Sequence, residues 1–474
     1  MIQIPADARV HPSFNSNFKE ELARGNLQDP QSRFHDMVRE NEEFYNNVDI
    51  PSVVRRLNGI VGAMGRILVN RSELTRQGLR ALMTAEHQFI FSAAGVAKSL
   101  YANQMFAYFK NASTFSIQFC PDTTPDDLFG AYDIEKFKKG EIHHNIEGSI
   151  VTHPFAFLDE FMDGNDKLLR SLLGVLLERK FNAGNQVEEA ILHTAIATSN
   201  YMRLSETTEA LMDRFLYKAY ISPAKDMYTL LRIDHVYNSN SGAVAPPVPE
   251  ECIDVREIIA VRRIIRGRHP HAKVVCPTEI RYLKNMVAAA FESEMRKYRQ
   301  DYYLSPRTIS KSNDCLKANA LLDGRDKVNE KDVENLYYLF CTINEPLDEA
   351  RTLTSQELYK RVYRSRIQYF HAIQDELRPL LLTFEFMCEA QKNREILKKP
   401  FDELLTDSSG TGWIPYIVDS LLGFVKSREE LQMDNQKNSF LKLIEPSGKK
   451  NHELMEFKKK VLELIDIVYR PLEA

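Results

Sequence analysis

No stretch of this 474-residue chain is apolar over anything near the roughly 18 residues that a membrane crossing needs. Its start, MIQIPADARVHP, has neither the basic lead nor the continuous apolar centre of a signal peptide, so export is not expected. Cysteine is scarce: Cys120, Cys252, Cys276, Cys315, Cys341 and Cys388 lie far apart, without a C-x-x-C pair or a histidine at zinc-ligand spacing. That argues against structural zinc and a disulfide framework, and for a reducing cytoplasm. Glycine (19) and proline (20) are too few for a fibrous or disordered protein, whereas 43% apolar and 27% charged residues supply several hydrophobic cores. Positive charge is not in excess either. The net charge is −4, and residues 1–50 account for all of it with five Lys/Arg against nine Asp/Glu. The remainder is neutral and offers no general footprint for nucleic acid or membrane.

Periodicity divides the chain. Residues 1–50 form an acidic leader, and 51–85 have the mixed three and four spacing of helices. From there, short β-favouring runs alternate with helical segments: QFIF (88–91), TFSIQF (114–119), FAFL (155–158), HTAIAT (193–198) and LYKAYI (216–221). Such alternation predicts an α/β core over 51–235 with a parallel five-stranded sheet between helices. The leucine stripe from Leu169 to Leu177 predicts a helix that Asp163, Asn165 or Asp166 could cap, and Gly184-Asn185 a hairpin turn. NSNSGAVAPPVPE (238–250) reads as a linker. A helical domain over 251–345 and a C-terminal helical domain over 346–474 follow, the latter with a capping-box pattern at Thr354 and Glu357.

The chemistry concentrates at strand ends. In QFIFSAAGVAKSLYANQMF, a strand is followed by small residues, Lys98-Ser99 and a helix, which is phosphate-loop context. Backbone N–H groups at a helix start, a lysine ammonium and a magnesium-ligating hydroxyl hold phosphates in such a place. Ala94, Gly95, Val96, Ala97, Lys98, Ser99 and Leu100 are therefore the expected binding segment. The pattern G-x-x-x-x-G-K-[ST] departs at both glycines, since Ser92 and Ala97 stand there. A serine at 92 would be strained if that turn needed a positive φ. In HPFAFLDEF, Asp159 and Glu160 close an apolar run, and strand alternation would point one toward a metal ion and the other toward a water. Asn200 ends ATSN at the tip of another strand, where ligands of open α/β sheets bind. Arg214 precedes the fifth strand and could reach a neighbouring subunit's phosphate.

In this order the segments SAAGVAKS, TTPDDLFGAYDI, FLDEF, LLGVLLERKFNAG, ATSN and LMDRF resemble the MoxR family of AAA+ ATPases, and most closely its RavA-like branch. The resemblance resumes at YLSPRTISKSNDCLKANALLDGRDKVNEKDV (303–333) and covers about half of the chain. It implies a P-loop NTPase core with a helical lid, ATP and Mg²⁺ as cofactors, Ser99 and Asp159 as metal ligands, and Glu160 as water activator. It further implies Asn200 as first sensor, Arg214 as a finger acting in trans and Arg307 as second sensor. A homo-oligomeric ring, expected as a hexamer, and a protein partner carrying a von Willebrand A domain belong to the same expectation, with chaperone-like remodelling as the activity. The 184–185 hairpin and GEIHHNIEGSI resemble the family's pore-facing inserts.

Other features count for less. DSSGT (407–411) has the local form of a metal-dependent adhesion site but no strand before it. The cations of VRRIIRGRHPHAK suit a helix C-terminus, and His143-His144 suit an exposed loop. The Leu454, Phe457, Val461, Leu464, Val468 stripe suits packing within a bundle. Two competing functions stay open: a nucleotide-gated scaffold with a degenerate phosphate loop, and a nucleic-acid ring motor.

Overall fold

A computed structural model of the chain describes residues 42–138, 140, 142–203, 206–223, 226–239, 251–349, 352–393, 397, 432–448 and 451–469. Most of the leader, the linker from 240 and the 407–411 segment lie outside the described residues. The chain divides into two compact units, one of residues 1–276 with 288–362 and the other of 277–287 with 363–474.

In the first unit, helices α1 (Ile50–Ile67) and α2 (Ser72–Thr84) precede strand β1 (Gln88–Ser92), followed by α3 (Lys98–Ala107) and β2 (Thr114–Gln118). Then come β3 (Phe155–Asp159), α4 (Asp166–Leu177), the hairpin β4 (Lys180–Ala183) and β5 (Gln186–Glu189), and β6 (Thr194–Ser199). Helix α5 (Glu206–Met212), β7 (Tyr217–Ile221), α6 (Met227–Ser239) and α7 (Val255–Ile265) follow. Helix α8 (Thr278–Met295) starts in the second unit and ends in the first, α9 (Pro306–Leu322) and strand β8 (Thr342–Ile343) belong to the first, and the long α10 (Ser355–Lys392) passes from the first into the second.

The five expected strands form one parallel sheet, in the order β7-β1-β6-β3-β2. The two-residue β8 adds a sixth strand beside β7, also parallel, and was too short to leave a periodic signal. Strands β3 and β6 are buried nearly throughout, which is why FAFL and HTAIAT read as continuous apolar or small runs. Phe89, Phe119, Phe161 and Phe215 meet edge-on or tilted in the core beneath the sheet. Asn165 is the residue that caps α4, its side chain accepting from the Leu168 N–H at 3.0 Å. Gly184 takes φ +60° in the hairpin turn, and the Thr354–Glu357 capping box forms as expected.

In the second unit, Phe457 packs on Tyr282 and Phe384, and Phe386 stacks on Phe440 of α11 (Gln432–Ile444). Leu454, Val461, Ile465 and Val468 of α12 (His452–Val468) are buried, so the C-terminal stripe packs within its own unit.

The core carries two histidines whose protonation the fold resists. Burial first, then the nearby Arg179 and other cations, hold His87 well below the ordinary 6.5. His193 is lowered likewise by burial, Arg262 and Arg179. His87 has no spare site for a proton, since Nδ1 accepts the Ala195 N–H at 2.8 Å and Nε2 faces the Leu176 carbonyl at 2.7 Å. Below pH 6.5 the unfolded chain takes up protons that the folded chain refuses, so stability is present above that value and falls beneath it. The expected loss is about 1.4 kcal/mol per pH unit for each fully titrating histidine. Urea titrations between pH 7.5 and 5.5 check this, and a flat midpoint would contradict it.

Candidate nucleotide site

The fold brings five of the expected residues to the carboxyl ends of β1, β3 and β6. Ser92 is the last residue of β1, buried and registered against Ile221 of β7. It does not take a positive φ, so the strain expected at that serine is absent. The strain is at Ala97 instead, the N-cap of α3, at φ +64°, with Gly95 at φ +78°. The turn into α3 therefore needs a left-handed residue where the usual pattern has its second glycine. An alanine there costs about 1 kcal/mol. Ala97→Gly is expected to raise the melting temperature by about 2 °C. A scanning-calorimetry comparison with a lower value for the glycine variant would refute this account.

From that turn Lys98 points back across the loop, its Nζ donating to the Ser92 carbonyl at 3.2 Å and to Asn200 Oδ1. Burial lowers the lysine's pKa, with Glu160 and Asp159 acting in the opposite sense. Asn200 turns its amide Nδ2 toward Glu160 Oε1 and so stands between ammonium and carboxylate. Beside this chain of contacts, Ser99 Oγ donates to Asp159 Oδ2 at 2.9 Å, and the buried Thr198 hydroxyl donates to Asp159 Oδ1.

The split between the two acids has a different cause from the one expected. Glu160 is not a strand residue: it sits one step beyond β3 at φ +49°. That left-handed step sends Phe161 into the aromatic core and leaves the Glu160 carboxylate at the crevice.

The donor set fits a small divalent cation. Two neighbouring oxygens on an octahedral ion, each 2.0–2.1 Å from it, stand about 2.9 Å apart, which matches the spacing of Ser99 Oγ and Asp159 Oδ2. Among the described residues there is no group of three or more His, Cys, Asp and Glu able to hold a metal alone. A cation here would complete its shell with phosphate oxygens and water, as magnesium commonly does.

Arg214 and Arg307 are not part of this crevice. Tyr217 is registered against Gln88 and Ile221 against Ser92, so Arg214 precedes the opposite edge of the sheet from the loop that leaves Ser92. Four residue steps along a strand separate those edges, about 13 Å. Arg307, in the first turn of α9, pairs with Asp213, whose other oxygen accepts from Ser305 Oγ at 3.1 Å. Lys311 of α9 pairs with Glu86, two residues before β1, at 2.7 Å, which fixes the helix on that same edge. Arg214 donates to the Ala210 carbonyl, and its buried Nε has no hydrogen-bond partner among the described residues.

The remaining sequence features resolve simply. Arg262 is half-buried and Arg266 pairs with Asp314 and Glu86, so the basic run serves a helix end. His144 is not an exposed loop residue. Its Nδ1 lies 2.7 Å from the Gly130 carbonyl and its ring packs against Tyr132, because Gln186 of the hairpin holds its backbone on both sides. Thr198, Asp213 and Arg71, which donates to the Val96 carbonyl at 3.4 Å, went unnoticed in the sequence. For Thr198 a signal existed, a hydroxyl two residues before Asn200 in the same strand end.

A parallel sheet with this loop, acid pair and polar strand tip, joined to a helical lid, is a P-loop protein of the AAA+ type. Residues 55–242 match the family described as "MoxR domain in the MoxR-vWA-beta-propeller ternary systems", and residues 280–351 match "AAA lid domain". Together with a MoxR relative these matches support the MoxR family for this chain. That relative is "Chaperone MoxR1" of Mycobacterium tuberculosis, 25% identical over 59% of this chain and 73% of its own length. The uncharacterized protein MJ0079 of Methanocaldococcus jannaschii is 24% identical over 61% of this chain and 70% of its own. A crystal structure of a candidate ATPase from Cytophaga hutchinsonii is 20% identical, with a TM-score of 0.49, and covers 69% of this chain and 97% of that one. No helix among the described residues is long and apolar enough to cross a membrane.

Proposed function

We propose that the chain binds Mg-ATP in the crevice of Lys98, Ser99, Asp159, Glu160 and Asn200 and hydrolyses it. The observation that carries this reading is the convergence of these five side chains through two linked sets of hydrogen bonds. Lys98 would exchange its neutral oxygen partners for phosphate oxygens, which its buried ammonium favours. Ser99 and Asp159 would hold the magnesium ion, which when bound offsets charge on the phosphates. Thr198 keeps Asp159 turned toward Ser99. Glu160, released from Asn200, would orient and polarise the attacking water, and Asn200 would hold that water or the γ-phosphate. Arg214 and Arg307, standing together on the far edge, would serve the crevice of a neighbouring copy.

Steady-state phosphate release from Mg-ATP tests the reading, with Lys98→Ala as control. Release is expected from the wild type and loss of it from the variant, and equal rates in both would overturn the proposal. The strained Ala97 favours a second reading, a nucleotide-gated scaffold. Tight ATP binding without phosphate release would decide for it.

The wider role we infer is remodelling of a protein partner by a ring, expected as a hexamer, in the cytoplasm. The matched family's description names a vWA component, which supports a partner with a von Willebrand A domain. All six cysteines are free, in keeping with a reducing compartment. The RavA-like placement is supported by the phosphate-loop sequence with Ala97 before Lys98. Exposed Tyr132, Ile134, Phe137 and Val187 on the joined insert and hairpin would grip the client.

A further inference from the structure

A second cation besides Lys98 grips the phosphate loop. Helix α1 ends at Ile67 and α2 starts at Ser72, and between them Asn70 takes φ +57°, a left-handed step that asparagine tolerates. That step sets Arg71 at the head of α2, where its carbonyl accepts the Thr75 N–H at 2.9 Å. From this fixed backbone the side chain reaches the loop, Nη2 donating to the Val96 carbonyl at 3.4 Å and Nη1 to the Asn70 carbonyl at 3.2 Å. Both acceptors are neutral and both bonds are long, so the half-buried guanidinium keeps donors to spare. Burial lowers its pKa. The next acid along the chain, Glu73, is engaged elsewhere, by Arg76 at 3.2 Å and by the Tyr337 and Tyr338 hydroxyls at 2.8 and 3.0 Å. A desolvated guanidinium that donates to carbonyls rather than to a carboxylate is ready to receive an anion, and its planar fork matches phosphate oxygens.

The sheet order determines which part of a bound nucleotide that fork would meet. Strand β1, which feeds the loop, lies between β7 and β6. Lys98, Asn200 and Glu160 join on the β6 side, since Asn200 follows β6 and Glu160 follows β3. Arg71 approaches from the β7 side. The Asn70 amide beside it donates at 2.9 Å to the buried Thr229, in the first turn of α6, the helix that follows β7. A nucleotide whose γ-phosphate faces Glu160 therefore extends its remaining phosphates toward Arg71. Charge points the same way: the crevice sets one ammonium against two carboxylates, so a polyphosphate needs a further cation beside it.

We propose that Arg71 binds, within its own chain, the α- and β-phosphates that ATP and ADP share, and so sets the affinity for both nucleotides without taking part in the transfer of the γ-phosphate. This rests on the reading of the crevice as a Mg-ATP site and adds to it a binding residue from the turn before α2. A contact made equally in the ground state and the transition state changes KM and leaves kcat alone.

Arg71→Gln is the sharp variant, because its amide can still donate to the Val96 carbonyl while the charge is gone. Titrations of the full chain with fluorescent ATP and fluorescent ADP, and displacement of the ATP probe by inorganic triphosphate, read binding without requiring turnover. All three ligands are expected to bind at least about tenfold more weakly, ATP and ADP by the same factor, as loss of a charge-assisted contact implies. In phosphate release KM should rise by that factor while kcat stays within about threefold. Arg71→Lys keeps the charge without the fork and should bind both nucleotides more tightly than Arg71→Gln. Unchanged affinities would overturn the proposal and leave Arg71 a brace for the loop. Weakened ATP with unchanged ADP would place the contact at the γ-phosphate, and weakened nucleotides with unchanged inorganic triphosphate would place it at the base or ribose; either overturns the proposal, as would equal affinities in the Gln and Lys variants. A wild type that binds neither nucleotide refutes the Mg-ATP reading itself, whereas one that binds both beside an unaffected Arg71→Gln refutes the role of Arg71 alone.

Discussion

Glu160→Gln is expected to keep the protein's affinity for Mg-ATP within a few-fold while phosphate release falls by about 10²–10⁴, the usual contribution of a positioned acid or base. The two effects separate because the glutamine conserves shape. Its amide oxygen can still accept the Asn200 Nδ2 proton that Glu160 accepts in the structure, so the turn at φ +49° and the packing of Phe161 are undisturbed. What the amide lacks is the negative charge that draws a proton from water. Fluorescent-ATP titration and single-turnover phosphate release measure the two effects on one preparation. Unchanged release would remove Glu160 from the reaction, and lost binding would mean that its charge, rather than its basicity, holds the site together.

Strands β3 and β6 were legible in the sequence because burial on both faces leaves continuous apolar or small runs, and β2 and β7 because buried positions alternate with more exposed ones. The order of Lys98, Asp159-Glu160 and Asn200 along alternating strands and helices was enough to predict their meeting at one sheet edge. The mechanisms of that meeting were less legible. Strand alternation at Asp159-Glu160 was a sound inference from a two-residue period, but the chain leaves the sheet one residue earlier. A left-handed step, invisible in composition, separates the acids. The glycine departures were visible, yet only backbone angles reveal that Ala97 rather than Ser92 bears the strain. The pairing of Arg307 with Asp213 joins residues 94 apart in sequence, and a single sequence contains no signal for such a contact.

The register of β7 against β1 leads to the other large effect. With Tyr217 opposite Gln88, Arg214 stands about 13 Å from the loop edge of its own sheet, too far for direct action on a phosphate held by Lys98. Arg214→Ala should therefore leave ATP binding by a single subunit nearly intact and lower turnover by about 10³–10⁵, the range for arginine fingers. A lost local salt bridge could not imitate this, since among the described residues Arg214 makes only a carbonyl contact at Ala210 and leaves Nε unpaired. The decisive arm is a mixture with Lys98→Ala. That variant has an empty crevice and an intact arginine, whereas Arg214→Ala has the reverse, so mixed assemblies contain junctions where a working crevice meets a working finger. Turnover above the sum of the two inactive parents is the expected result. If Arg214 acted within its own chain, no junction would be repaired and the mixture would stay at the level of its parents.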